Sequence, residues 1–208
     1  MEDILEVYRR PCNPEEPMVC MDETSKQLIK ETKQTIPAEP GIPARYDYEY
    51  ERNGVCNLFM FYEPFGGKRY VSITDHRTKV DWALQIKELL DNQYPTAKKV
   101  VLVMDNLNTH TGASLYETFP PYEARRLLER LDIHYTPKHG SWLNIAEIEL
   151  RVLFGQCLNR RLPDKQTLQN EVTQWQNQRN SRQAKVDWRF STDNARIKLK
   201  RLYPTLLT

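Results

Sequence analysis

Hydrophobic and polar positions along the chain fall into blocks with two different periods, and each period predicts an element. Short apolar runs at residues 18–21 (MVCM) and at Val100–Met104 (VVLVM) read as strands buried on both faces. Each runs directly into a carboxylate, Asp22 and Asp105. Residues 55–62 (VCNLFMFY) and 69–74 (RYVSIT) flank Gly66-Gly67 and predict a hairpin. Residues 79–92 place Val80, Leu84, Ile86, Leu89 and Leu90 near helical spacing, with Pro95 closing the helix. A second amphipathic helix is expected over 121–131, and a short strand over 132–135 ahead of Pro137.

The C-terminal third reads as helical. Residues 144–158 carry apolar side chains round much of the helix circumference, so that helix is expected to be largely buried. Its charges, Glu147, Glu149 and Arg151, then need a reason, because an unpaired buried charge is costly. Residues 164–177 repeat Leu168, Val172 and Trp175 at i, i+4, i+7 behind a capping Asp164. A basic helix over 192–202 ends at Pro204. Between elements, Pro11, Pro14 and Pro17 break up the leading segment, and residues 26–50, with Pro37, Pro40, Gly41 and Pro43, read as a long loop. This order of strand, hairpin, helix, strand, helix, strand and helices defines an α/β domain with a mixed sheet. If the first and fourth strands are neighbours, Asp22 and Asp105 stand side by side.

Composition changes this picture little. At 39% hydrophobic and 28% charged residues the 208-residue chain is compatible with one sizeable core. No apolar run approaches the ~18 residues of a membrane span, and the N-terminus is too acidic and polar for a secretory signal. Cys12, Cys20, Cys56 and Cys157 are scattered without a C-x-x-C pair, which reads as free thiols in a reducing cytosol. Charge is more informative. The net value is only +2, but the excess of Lys and Arg lies toward the C-terminus, in RQAKVDWRFSTDNARIKLKR. A polyanion partner and a solvated helical face account for it equally well.

The chemistry lies in the carboxylates. Asp22, Asp105 and Glu147, the last near the start of the buried helix, have comparable settings. Two aspartates on one sheet edge repel strongly unless cations hold them. Mg²⁺ suits such a set because it takes a few carboxylates plus waters and phosphate oxygens. Two ions so held could clamp the attacking and leaving oxygens of a phosphodiester, and Mn²⁺ is expected to substitute. A strand-terminal Asp taken singly is more often a turn or capping residue, and periodicity does not choose between Glu147 and Glu149.

The letters around these acids carry a resemblance. MDET (21–24), MDNLNTH (104–110) and PKHGSWLNIAEIE (137–149) resemble, in order, the three catalytic blocks of DDE transposases. More narrowly, they are similar to the bacterial insertion-sequence branch of the mariner-like superfamily. The likeness spans about residues 18–204. The interval from Asp105 to Glu147 is longer than the family usually shows, with the surplus placed in SLYETFPPYEARR (114–126). The resemblance implies a ribonuclease H-like fold: a mixed five-stranded sheet flanked by helices, with a helical basic C-terminal extension. It implies a leading segment at 1–17, a catalytic domain at 18–160 and the extension at 161–208.

For function, the resemblance implies Mg²⁺-dependent strand cleavage at transposon ends. The freed 3′-hydroxyl then attacks target DNA. Asp22, Asp105 and Glu147 are expected as catalytic metal ligands, the Leu-Asn-x-x-Glu match choosing Glu147. Double-stranded DNA with a TA-containing target and a homodimeric assembly are the partners implied. A helix-turn-helix module, which no pattern before residue 18 supplies, is expected from another reading frame. The site of action implied is the bacterial cytoplasm, at the nucleoid.

Secondary candidates surround this set. Asn106 and His110 are expected to orient Asp105 or touch DNA backbone. His139, Ser141 and Trp142 are candidates for DNA contact, with Trp142 otherwise a core plug. Arg179, Arg182, Lys185, Arg189, Arg196, Lys198, Lys200 and Arg201 could meet phosphates. Arg45, Tyr46, Tyr48 and Tyr50 could stack on bases or line a strand edge. A ribonuclease H-like nuclease without strand transfer, or a non-catalytic DNA-binding relic, would share most of these features.

Overall fold

A computed structural model describes residues 1–34, 36–45 and 47–203. The expected end of the last helix at Pro204 and the candidate Tyr46 lie outside them. Five strands form a single mixed sheet: β1 (Met18–Glu31), β2 (Tyr50–Glu63), β3 (Lys68–Thr74), β4 (Val100–Met104) and β5 (Leu131–Tyr135), in the order β3-β2-β1-β4-β5. β1 pairs antiparallel with β2 and parallel with β4, and β4 pairs parallel with β5. The first and fourth strands are therefore neighbours, as the expectation for Asp22 and Asp105 requires.

The strict alternation of a strand sorts its side chains between two cores. Cys20, Leu58, Met60, Tyr62, Val101 and Val103 face one side of the sheet. Four helices cover that side: α1 (Glu2–Arg9), α5 (Ile145–Leu153), α6 (Lys165–Ser181) and α7 (Thr192–Lys198). Val19, Met21, Phe59, Phe61, Leu102 and Met104 face the other, under α2 (Lys79–Glu88), α3 (Gly112–Thr118) and α4 (Pro121–Glu129).

Several boundaries differ from the sequence expectation, each for a visible reason. β1 does not stop at Asp22. It runs on to Glu31 because β2 continues beside it, through Lys26↔Cys56 to Glu31↔Tyr50. The predicted loop over 26–50 therefore shrinks, and isolated bridges Ile36↔Arg45 and Glu39↔Ile42 fold part of what remains. The leading segment holds a helix, α1, whose Ile4, Leu5, Val7 and Tyr8 are buried in the core. Residues 114–126, where the sequence places the surplus between Asp105 and Glu147, run through the end of α3 into α4, so the lead-in to α4 is itself helical. The helix from Lys79 buries Trp82, Ala83 and Ile86 and leaves Val80 and Leu84 half exposed, before a π turn at Leu89–Gln93. The helix over 144–158 is α5 followed by a second π turn, Phe154–Leu158.

At the β2–β3 turn Gly67 has φ +71°, and a Cβ there would lie 2.6 Å from the main-chain carbonyl of Gln183. Only glycine meets both demands. The chain after α6 is thereby seated on this turn, which lies past the Glu63↔Lys68 end of the β2–β3 ladder.

Candidate active site

Register places the two aspartates. Cys20 and Val103 are the last parallel partners of β1 and β4, and Asp22 and Asp105 each stand two residues beyond them. Asp22 keeps the parity of Cys20 and so lies toward the α5 side, while Asp105 stands just past the end of β4, the strand ~4.8 Å away. Past this point β1 has only β2 beside it, with Asp22 opposite Met60. The gap left by the end of β4 gives both carboxylates an open edge.

Glu147 reaches the same edge through a clamp at the start of its helix. Asn144 is buried, and its side-chain oxygen caps α5 by accepting from the Ala146 amide (3.1 Å). Its Nδ2 donates to the main-chain oxygen of Met21 (2.8 Å), directly ahead of Asp22. Tyr8 of α1 donates its hydroxyl to the Leu143 oxygen (2.5 Å), so the leading helix holds the same junction. The motif showed Asn144 as a letter; its part as the pin between strand and helix is visible only in three dimensions. Tyr8 carried no signal at all.

The two acids of α5 now separate. Glu147 is exposed on the first turn, whereas Glu149 is buried and bound into an ion cluster. The Arg179 Nε donates to Glu149 Oε1 (2.7 Å), and Arg69 Nε lies 2.8 Å from the same oxygen. The Arg69 guanidinium also donates to the Gly67 and Ala184 main-chain oxygens and to the Asn180 side chain. Arg179 is thus a structural partner of Glu149 and not the phosphate contact its position in a basic stretch suggested. Arg151 is exposed, so the burial problem posed by this helix concerns Glu149 alone.

Electrostatics mark the edge as cation-poor. Burial pushes the Asp22 carboxyl up to about 7, against the hydrogen bond its Oδ1 accepts from the Glu23 amide; the charges of Asp105, Glu147 and Glu23 add to the rise. Neither Asp22 nor Glu147 has a cationic partner among the described residues. Asp105 Oδ1 is 2.7 Å from Nδ1 of His110, whose Nε2 is 3.3 Å from Glu23 Oε2. Burial opposes the His110 charge, but the hydrogen bonds to Asp105 and Glu23 outweigh it and lift the imidazole to about 9. His110 is fully buried, which removes it from the DNA-contact candidates.

Other candidates sit at varying distances. Asn106, Lys138, His139 and Ser141 line an open groove with Asp105, Leu107, Thr136 and Pro137. His139 turns through a left-handed φ of 64° there. Trp142 is 42% exposed, too open for a core plug, and meets Phe190 edge-on at 5.6 Å; the Lys198 ammonium stands 5.9 Å from the Phe190 ring. That chain of contacts ties Lys198 to the segment preceding α5. Arg189 pairs with Asp187, and Arg196 with Glu2. Arg182, at the end of α6, neighbours the residue seated on the β2–β3 turn and does not line that groove. Tyr48 is almost fully exposed and Tyr50 half exposed at the open end of β2.

As a donor set, three carboxylates without bound Lys or Arg suit a hard divalent cation. Among the described residues no three His, Cys, Asp or Glu side chains are grouped closely enough to hold a metal ion. Asp105 and Glu147 are near enough to Asp22 for their charges to act on its carboxyl. Cys12 is an exposed free thiol, and Cys20, Cys56 and Cys157 are buried free thiols. No described helix is long and apolar enough to cross a membrane.

A mixed five-stranded sheet with helices on both faces and acids at the strand β1–β4 edge is a ribonuclease H-like architecture. The chain belongs to the DDE superfamily endonucleases, whose family profile matches residues 17–169. No curated protein sequence matches it. Its fold is similar to that of the Mos1 mariner paired end complex with Mn, at 16% identity and TM-score 0.57 over 88% of this chain and 55% of that one. It is also similar to the Mos1 transposase paired-end complex with left transposon end (15% identity, TM-score 0.59, 88% and 56%). The Mos1 Strand Transfer Complex is a third such structure (14%, TM-score 0.58, 88% and 54%). The chain thus spans just over half the length of these relatives.

Proposed function

We propose that this chain is the catalytic domain of a transposase that cleaves DNA at the ends of a mobile element and joins the freed 3′-hydroxyl to target DNA. The observation that carries the reading is that Asp105 and Glu147, from a strand end and a helix, stand near enough to Asp22 for their charges to raise its carboxyl, with no cationic partner for Asp22 or Glu147 among the described residues. Family membership supports phosphodiester chemistry on DNA. In this reading the three carboxylates hold divalent metal, two Mg²⁺ ions with Mn²⁺ as a substitute. Held by Asp22, Asp105 and Glu147, such ions would supply Lewis-acid polarisation of the scissile phosphate and activation of the attacking oxygen.

The protein's own part is placement. Asp22 and Asp105 ride on adjacent parallel strands, so their spacing is set by the sheet ladder. Glu147 is set against them by the Asn144 clamp. Asp22 holds a proton near neutrality until a cation displaces it. The open groove beside Asp105 accepts the DNA backbone, with Lys138 offering charge to phosphate. Sequence-specific end recognition belongs to a helix-turn-helix module supplied from another reading frame, and the working assembly on DNA is a homodimer acting at TA-containing targets.

The test is a reaction of the chain, alone and fused to its presumed N-terminal partner, with an end-bearing duplex and Mg²⁺. Joined products support the proposal. Nicked products alone support a nuclease without strand transfer, and DNA binding without cleavage supports a non-catalytic relic.

A further inference from the structure

Glu23 is the second acid of the MDET block, yet the proposed reaction gives it no work. Adjacent strand residues point to opposite faces, so Glu23 projects away from α5, where Asp22 and Glu147 meet. Its side chain is only 5% exposed, and its Oε1 faces Arg77 Nη1 at 3.6 Å. The other oxygen meets His110, and the far ring nitrogen of His110 meets Asp105.

We infer that His110, braced by Glu23, is the positioning residue that fixes the orientation of the Asp105 carboxylate. This rests on the reading of Asp105 as a metal ligand. Asp105 follows the last residue of β4 and has no ladder partner of its own. A side chain there is free to rotate unless something holds it. His110 takes Oδ1 at 2.7 Å and leaves the second oxygen without a hydrogen bond among the described residues. The imidazole is itself over-determined. Its ring stacks on the buried Trp82 of α2 with centroids 5.8 Å apart and planes 25° from parallel. Its main-chain oxygen accepts from the Tyr135 hydroxyl at 2.8 Å. Glu23 closes the remaining direction, so strand β1 supplies one acid to the site and a second to the support of its neighbour. Carboxylate–histidine supports of this kind typically govern metal affinity by 10–100-fold.

The experiment is Mn²⁺ binding by isothermal titration calorimetry on the full chain, with unfolding monitored in parallel. Asp105→Asn is expected to abolish the binding heat. His110→Ala weakens Mn²⁺ binding by about 10–100-fold. His110→Asn, whose amide nitrogen can stand where Nδ1 stood, recovers most of the loss. Glu23→Gln, which keeps the side-chain shape, loses affinity several-fold in the fraction that is folded. A folded His110→Ala with wild-type affinity, beside an inert Asp105→Asn, overturns the inference and leaves the site reading standing. Unchanged binding in Asp105→Asn overturns the site reading itself. Should His110→Ala not fold, Glu23→Gln decides: wild-type affinity there overturns the inference.

Discussion

The Asn144 side chain donates to the main-chain oxygen of Met21 at 2.8 Å, so the helix that carries Glu147 begins on the strand residue preceding Asp22. Two of the three acids are thereby referred to one hydrogen bond.

That bond makes Asn144 sensitive to the direction of its donor. Asn144→Asp keeps an acceptor for the Ala146 amide but turns an oxygen toward the Met21 carbonyl in a buried position. Leaving that carbonyl unsatisfied is expected to cost about 1–3 kcal/mol, with burial of a charge added. Cleavage should fall further than stability does, because Glu147 loses its reference to Asp22. Urea unfolding and cleavage assays check this; a variant as stable and active as wild type removes the clamp from the account.

Glu147 and Glu149 are expected to fail in opposite ways. Glu147 is exposed, so Glu147→Gln should fold normally and lose metal-dependent cleavage. Glu149 is buried against Arg69, whose side chain is fully buried too. Breaking such a pair from one side costs about 3–5 kcal/mol. Glu149→Gln should therefore unfold at markedly lower denaturant while any folded fraction remains active. A stable, inactive Glu149→Gln beside an active Glu147→Gln would reverse the assignment.

How far the sequence carries this site depends on the range of the interactions. Apolar runs ending in acids were enough to single out Asp22 and Asp105, but that their strands are neighbours was only a condition of the sequence reading and is supplied by the sheet order. The extension of β1 to Glu31 was hidden, since SKQLIKE is a solvent-facing ribbon whose partner is set by β2. In α1 the four buried residues occupy too short and acidic a stretch to stand out from a linker. Glu149 could not be told from Glu147 by periodicity, because its partners Arg69 and Arg179 come from a distant strand and a later helix. Only the packed structure brings those two arginines together.

The proton on Asp22 gives a pH signature. Its carboxyl is raised from 3.8 to about 7, so between those values the folded state binds more protons than the unfolded state. Without metal, this group's contribution falls as pH rises from about 4 to 7 and is level above. Asp22→Asn should therefore be more stable than wild type at pH 8 in EDTA, by roughly 1–3 kcal/mol, and show little gain at pH 4. Mg²⁺ should raise the wild-type melting temperature and leave the variant's unchanged. Parallel melts in EDTA and Mg²⁺ test both statements, and a Mg²⁺ response retained by Asp22→Asn would remove Asp22 from the ligand set.

Basic side chains should divide by where the fold puts them. Lys138 lines the groove beside Asp105, and Lys198 reaches the same region through Phe190 and Trp142. Arg182 lies beside the β2–β3 turn and outside that groove, and Arg189 is engaged by Asp187. Phosphate contacts release counterions, so each one lost should flatten the plot of log K against log[salt] by roughly 0.9. Lys138→Ala and Lys198→Ala are expected to weaken binding to any duplex and to lower the slope by about that amount each. Arg182→Ala and Arg189→Ala should leave the slope near wild type. Because these contacts read no bases, end-bearing and scrambled duplexes should lose affinity equally. The measurement is a fluorescence anisotropy titration across a salt series with both duplexes. An unaltered slope in the two lysine variants, or a loss confined to the end sequence, would show that DNA lies on another face of the molecule.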